Sequence, residues 1–287
     1  MRPSIRLLLL LLAAAACAGP QKASSAAVPD TLDRIKAAKT IKLGYRESSV
    51  PFSFVGPDGA PAGYSVDLCT RVVHGLRADL AMADLRIEWV KVTPDTRIAA
   101  LVDGTIDLEC GSTTSTFSRQ EQVDFSNLTF VDGSTLLSIK TTKVSAPGDS
   151  TGMRIAVIPG TTTEKLVRNA FQNVATTQII PVKEHAEGLA AVDQGSADVY
   201  ASDRSILLGL ALASPDPKHY SILARFLSYE PYGLMLRHDV AFRLAVNRQL
   251  GRIYRTNVAE LYNKWFGPLG PPNDLLLALY ALSALPE

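Results

Sequence analysis

The chain has 287 residues, 47% of them apolar and 20% charged, and a formal net charge of +1. That balance is ordinary for a soluble globular protein with one large domain or two modest ones. Without a basic run or an aromatic-basic patch it argues against a nucleic-acid partner, and the three cysteines lack any metal-type spacing.

Arg2 and Arg6 precede an apolar run over residues 7–16, too short for the about 20 residues that a membrane-spanning helix needs. A charged start, a short apolar core and the small residues Ala14-Ala15-Ala16-Cys17-Ala18-Gly19 read as a secretory signal over residues 1–16. Its removal takes the net charge to about −1. Cys17 stands where lipoprotein-type signals place the cysteine that becomes lipid-modified, with Ala14 in place of the usual leucine; plain cleavage after Ala16 is the alternative. Export permits Cys69 and Cys110 to pair, and the sequence alone leaves that open. Residues 17–30, rich in Ala, Ser and Pro, read as a flexible tether.

Structure is expected from Thr31, a candidate N-cap for a helix over 32–36. Residues 41–45 alternate like a strand, and Pro57-Asp58-Gly59 is a turn, because proline presets φ and glycine accepts positive φ. Val66, Val72, Val73, Leu76 and Leu80 recur at helical spacing; 85–92 reads as a strand and 97–102 as a short helix. Residues 275–285 read as packing surface. The rhythm predicts a mostly parallel α/β sheet.

One pattern occurs twice. A helix closes on Gly104 and a strand follows with Asp107; a second helix closes on Gly195 and a strand follows with Asp198. A strand over 154–158 and a helix from Thr162 precede the second copy. The repeat predicts two similar α/β lobes. Ser112-Thr113-Thr114 and Ser202-Asp203-Arg204 lie just beyond the two strands, where open α/β sheets bind ligands, and a cleft between lobes is a favoured small-molecule site.

Gly160-Thr161-Thr162-Thr163-Glu164 opens a helix and suits an anion such as a carboxylate; it lacks the spacing of a phosphate loop. Arg46, Arg97 and Arg119 lie at strand or helix ends, and arginine forks bind carboxylates with paired hydrogen bonds. No catalytic motif is present, the four histidines are scattered, and Glu109 beside Cys110 reads as structural. No cofactor is expected.

These residues resemble a known family. Arg46-Glu47-Ser48-Ser49-Val50-Pro51-Phe52-Ser53, Gly63-Tyr64-Ser65-x-Asp67, Asp107-x-Glu109-Cys110-Gly111-Ser112-Thr113-Thr114, Gly160-Thr161-Thr162, Tyr232-Gly233-x-Met235-Leu236-Arg237 and Lys264-Trp265-Phe266 are similar to the glutamate/aspartate-binding proteins of bacterial ABC transporters. The resemblance runs from about residue 31 to residue 272. It implies a two-lobed periplasmic-binding-protein fold of type II, with one lobe over 31–137 and 229–287 and the other over 138–228. It further implies that Arg119, Thr114 and Thr161 hold the ligand α-carboxylate and that Asp203 and Ser112 hold the α-ammonium. Arg46, Arg97 and His185 would hold the side-chain carboxylate with help from Thr162 or Thr163. The implied partners are L-glutamate or L-aspartate and the membrane permease of an ABC transporter, with the binding protein a monomer.

Two departures stand out. Pro94 replaces a serine common in relatives, which removes a hydroxyl and an N–H. Leu234 stands where some relatives carry a second cysteine, so Cys110 loses that partner. Two other readings compete. An enzyme resembling cyclohexadienyl dehydratase would need an acid poised at the cleft and a pocket for a ring, and a sensor module would carry a signalling segment.

Overall fold

The computed structural model describes residues 30–286. The secretory signal, Cys17 and all of the expected tether except Asp30 lie outside the described residues.

Ten strands form two five-stranded sheets: β1 (Thr40–Tyr45), β2 (Arg86–Lys91), β3 (Leu108–Glu109), β4 (Asp124–Asp132), β5 (Ser134–Ile139), β6 (Arg154–Val157), β7 (Gln178–Pro181), β8 (Val199–Asp203), β9 (Tyr220–Ile222) and β10 (Glu230–Leu236). The first sheet has the order β2-β1-β3-β10-β4 and the second β7-β6-β8-β5-β9. In each, three parallel strands are followed by two joined antiparallel. The central strands are buried, all five residues of β8 included, as expected for strands covered on both faces.

The repeated aspartates explain why both lobes start alike. Asp107 accepts from the Lys42 backbone N–H at 2.8 Å, and its own N–H donates to the Lys42 carbonyl at 2.8 Å. Asp198 makes the same two bonds with Arg154, each at 2.8 Å. Each aspartate therefore pins the first residues of its neighbouring parallel strand. Gly104 and Gly195, at φ 79° and 67°, supply the left-handed turn that delivers the chain to these positions.

The chain changes sheet at Gly133, between β4 and β5. Ser134–Ile139 is thus a strand of the second sheet, and the expected boundary at 137/138 falls inside it. The physical reason lies at Gly133, where a Cβ would stand 2.5 Å from the Phe226 ring and 2.7 Å from the Ser228 carbonyl oxygen. Only a glycine lets the outgoing and returning segments pass so closely.

One smaller expectation is also corrected. The first helix, Thr31–Ala38, is capped by Asp30 rather than Thr31: the Asp30 carboxylate accepts from the Leu32 N–H, a role that aspartate fills well. The helix Asp274–Ser283 packs as expected, through one side. Leu276, Leu279 and Tyr280 are buried while Leu275, Leu277 and Leu282 are exposed.

The first lobe is cored by an aromatic group, with Phe52–Phe130 centroids 5.0 Å apart, Phe130–Phe266 4.7 Å and Phe52–Tyr232 5.1 Å. Cys69 and Cys110 form a disulfide that ties the helix Tyr64–Asp79 to the segment leading into Ser112. No helix among the described residues is long and apolar enough to cross a membrane.

Candidate functional site

Parallel strands deliver side chains at their carboxyl ends. Arg46 follows β1, Arg97 opens the helix after β2, and Ser112 and Thr114 follow β3. On the other lobe Thr161 caps the helix Thr162–Phe171 after β6, His185 opens the helix His185–Asp193 after β7, and Asp203 ends β8. Arg119 comes from the short helix Phe117–Gln120. These ends face each other across a narrow cleft. Arg46, Arg97, Ser112, Thr114 and Arg119 line it from one side, and Thr161, Thr162, Thr163, His185 and Asp203 from the other. Every binding residue expected within the described chain is therefore brought to one place.

The cleft is electrically polarised. At one end Arg46 and Arg97 are 2% and 3% exposed. Arg46 Nη2 lies 3.2 Å from Glu184 Oε2. Arg97 Nη1 donates to the Thr113 hydroxyl and stands 4.0 Å from Glu109 Oε1. Glu184 and Glu109 thus act as internal counter-ions for two guanidinium groups that would otherwise repel each other. Burial pushes the Arg97 guanidinium down to about 9, with Glu109 working the other way, so it is still charged at neutral pH. His185 Nδ1 is 2.6 Å from the Tyr200 hydroxyl. Burial, reinforced by Arg46 and Arg97, holds this imidazole well below its usual range and hence neutral.

Several buried atoms here have no hydrogen-bond partner among the described residues: Arg46 Nε, Arg97 Nε and Glu109 Oε1. Buried donors are nearly always satisfied. Two unpaired N–H groups on neighbouring guanidinium ions point to an anionic group as their complement.

The other end is acidic. Asp203 accepts from Ser134 Oγ at 2.9 Å, from Thr163 Oγ1 at 3.4 Å and from the Tyr232 hydroxyl. Burial pushes its carboxyl up, and Glu230 adds to the effect. Asp132 is raised likewise by burial and by Asp203. A positive group placed here would relieve this like-charge crowding.

Side chains bridge the lobes. Ser48 Oγ donates to Glu184 Oε2 at 2.7 Å and accepts from the His185 N–H at 3.0 Å. Arg119 donates to the Thr114 carbonyl at 2.8 Å and, on the far lobe, to the Gly160 carbonyl at 3.2 Å. The lobes are closed against each other.

Sequence reasoning missed Ser48 and Tyr200 as site residues, and it missed Glu184 and Glu230. Glu184 directly precedes His185, and Glu230 stands two residues before the Tyr232-Gly233 motif; neighbourhood to those motifs was the available signal.

Residues 41–268 match the family model for bacterial extracellular solute-binding proteins, family 3. The chain belongs to that family. This solute-binding protein is 37% identical over 252 residues to the L-glutamate/L-aspartate-binding protein of Pseudomonas aeruginosa, covering 86% of this chain and 83% of that one. It is 34% identical over 253 residues to the glutamate/aspartate import solute-binding protein of Salmonella typhimurium, covering 87% and 83%. Among solved structures it is similar to an ancestral amino-acid-binding protein described as a precursor of cyclohexadienyl dehydratase, with a TM-score of 0.70, 27% identity, and coverage of 83% of this chain and all of that one. That relative is itself described as a binding protein, so the likeness gives the dehydratase reading no support.

Proposed function

We propose that this solute-binding protein captures L-glutamate or L-aspartate between its lobes and delivers it to the permease of an ABC importer. The reading is carried by one observation: two buried guanidinium groups, each with an unpartnered Nε, face a buried aspartate across the cleft. An acidic amino acid has the complementary layout, with a side-chain carboxylate at one end and an ammonium at the other. The names of the two curated relatives support the same ligand class.

In this reading Arg46, Arg97 and the neutral His185 take the side-chain carboxylate, Arg119 takes the α-carboxylate, and Asp203 with Ser112 takes the ammonium. Thr161 lies at the helix start beside the α-carboxylate, where the local dipole favours an anion, and Thr162 or Thr163 helps with the side-chain carboxylate. Closure follows because a ligand touching both lobes favours the state in which both are in contact. The protein acts as a monomer outside the cytoplasm, and Cys17 provides a lipid anchor. A Cys17→Ser protein should leave the membrane fraction; an unchanged distribution would remove the anchor.

Thermal-shift screening of the protein against the common amino acids and prephenate tests the function. The reading expects stabilisation by glutamate and aspartate and none by prephenate. Stabilisation by neutral or basic amino acids alone would refute it.

A further inference from the structure

Glu230 lies behind the cleft wall at the start of β10, 2% exposed. Its Oε2 accepts from Thr114 Oγ1 at 2.6 Å and from Thr162 Oγ1 at 2.7 Å. Its Oε1 accepts from the Ser228 hydroxyl and lies 3.2 Å from Ser134 Oγ, whose proton goes to Asp203 at the shorter distance of 2.9 Å. Thr114 belongs to one lobe and Thr162 to the other, and both line the cleft.

A threonine hydroxyl has one proton and two lone pairs, whereas a carboxylate only accepts. With both protons committed to Glu230, Thr114 and Thr162 turn lone pairs toward the cleft. A carboxylate meeting those oxygens would be repelled; an ammonium would be accepted. We infer that Glu230 is a positioning residue for ammonium recognition: by taking the hydroxyl protons of Thr114 and Thr162 it makes their cleft-facing oxygens acceptors, alongside the carboxylate of Asp203. This inference rests on the proposed acidic amino-acid ligand, and it changes two implied roles. The hydroxyls of Thr114 and Thr162 serve the positive group, and the carboxylates are left to the arginines.

The arrangement also ties recognition to closure. Two hydroxyls from opposite lobes converge on one oxygen atom, and the two threonine oxygens are 3.5 Å apart. That convergence needs the lobes together, so the full acceptor face for the ammonium exists only when the cleft is shut.

The test compares L-glutamate with glutarate, which keeps both carboxylates and lacks the ammonium. Dissociation constants are measured by calorimetry, with displacement titration for the weaker ligand, on the wild type and on Glu230→Gln. With its nitrogen toward Thr114 and Thr162 the amide turns at least one of their hydroxyl protons toward the cleft; with its nitrogen toward Ser134 and Ser228 it leaves them as they are, and Thr162→Val then decides. The expected result is a loss for glutamate at least about tenfold greater than the loss for glutarate. Equal losses would assign Glu230 a purely structural part and overturn the inference. Thr162→Val is the second variant, decisive also where Glu230→Gln does not fold. It removes one acceptor without changing shape, and it too should cost glutamate more than glutarate; a loss confined to both carboxylate ligands equally would overturn the inference. A wild type that binds neither ligand refutes the acidic-ligand reading itself, and that outcome is visible before any variant is made.

Discussion

Arg46 Nη2 lies 3.2 Å from Glu184 Oε2 on the opposite lobe, and the Ser48 hydroxyl donates to the same oxygen at 2.7 Å. The pair joins the lobes, and it also places an anion beside the arginine that is proposed to read the ligand side chain. Glu184→Gln removes that anion. Closure then weakens for every ligand, but repulsion of an acidic side chain falls as well. The ratio of glutamate to glutamine affinity should therefore rise by about threefold or more, of the order that a nearby charge exerts at the edge of a protein. Calorimetric titration with both ligands measures that ratio, and a fall would show that Glu184 assists the acidic ligand instead.

Arg119 donates to carbonyl groups on both lobes. Arg119→Ala should weaken binding of glutamate and glutamine alike, by about 30-fold or more, because an α-carboxylate is left desolvated without its cation. Such truncations cost on the order of 2–5 kcal/mol. Wild-type affinity in this variant would remove Arg119 from the site.

Asp203 sets the pH dependence. Burial first and Glu230 second raise its carboxyl to about 6, so below that pH it is protonated and unable to pair with an ammonium. An ammonium docked on it favours the charged form, lowers the pKa and releases a proton. Glutamate affinity should accordingly fall as pH drops from 7.5 to 5, by at most about tenfold per pH unit. In the absence of glutamate the sign reverses: the raised pKa means that the folded chain binds more protons than the unfolded one between the ordinary carboxyl range and about 6, so Asp203 costs stability as pH rises through that window. Calorimetry in buffers of different ionisation enthalpy reads the released proton, and Asp203→Asn should reduce that release, with Asp132 the raised carboxyl that remains.

The Cys69–Cys110 disulfide closes a loop between residues 41 positions apart, and in the chain-entropy account such a crosslink contributes about 4 kcal/mol. Reduction should lower the melting temperature by roughly 10 °C. Because Cys110 lies two residues before Ser112, reduction should also weaken glutamate binding. Melting curves with and without reductant, each with and without glutamate, separate the two effects.

Local signals were legible and long-range ones were not. Gly104 with Asp107 and Gly195 with Asp198 announced two similar lobes because each glycine and aspartate acts on its immediate neighbours and one adjacent strand. Thr161 was readable as a helix start for the same reason. The change of sheet at Gly133 was misplaced by several residues because nothing local marks it, and only Phe226 and Ser228, far along the chain, explain the glycine. The disulfide depended on a distance that no spacing encodes. Glu230 escaped notice because an acid at the start of a strand reads as exposed, while its hydroxyl partners Thr114, Ser134 and Thr162 are 116, 96 and 68 positions away.

The central claim is that the two buried guanidinium groups read a side-chain carboxylate. A neutral amide would leave arginine donors charged and partly unpaired, and a site built for a polar partner rejects analogues that lack it. The most direct test is calorimetric titration of the wild type and Arg46→Met with L-glutamate and L-glutamine. The wild type should bind glutamate at least about 100-fold more tightly, a difference of about 2.7 kcal/mol, and Arg46→Met should erode most of that preference while costing glutamine far less. Equal affinities in the wild type, or equal losses for both ligands in the variant, would contradict the account.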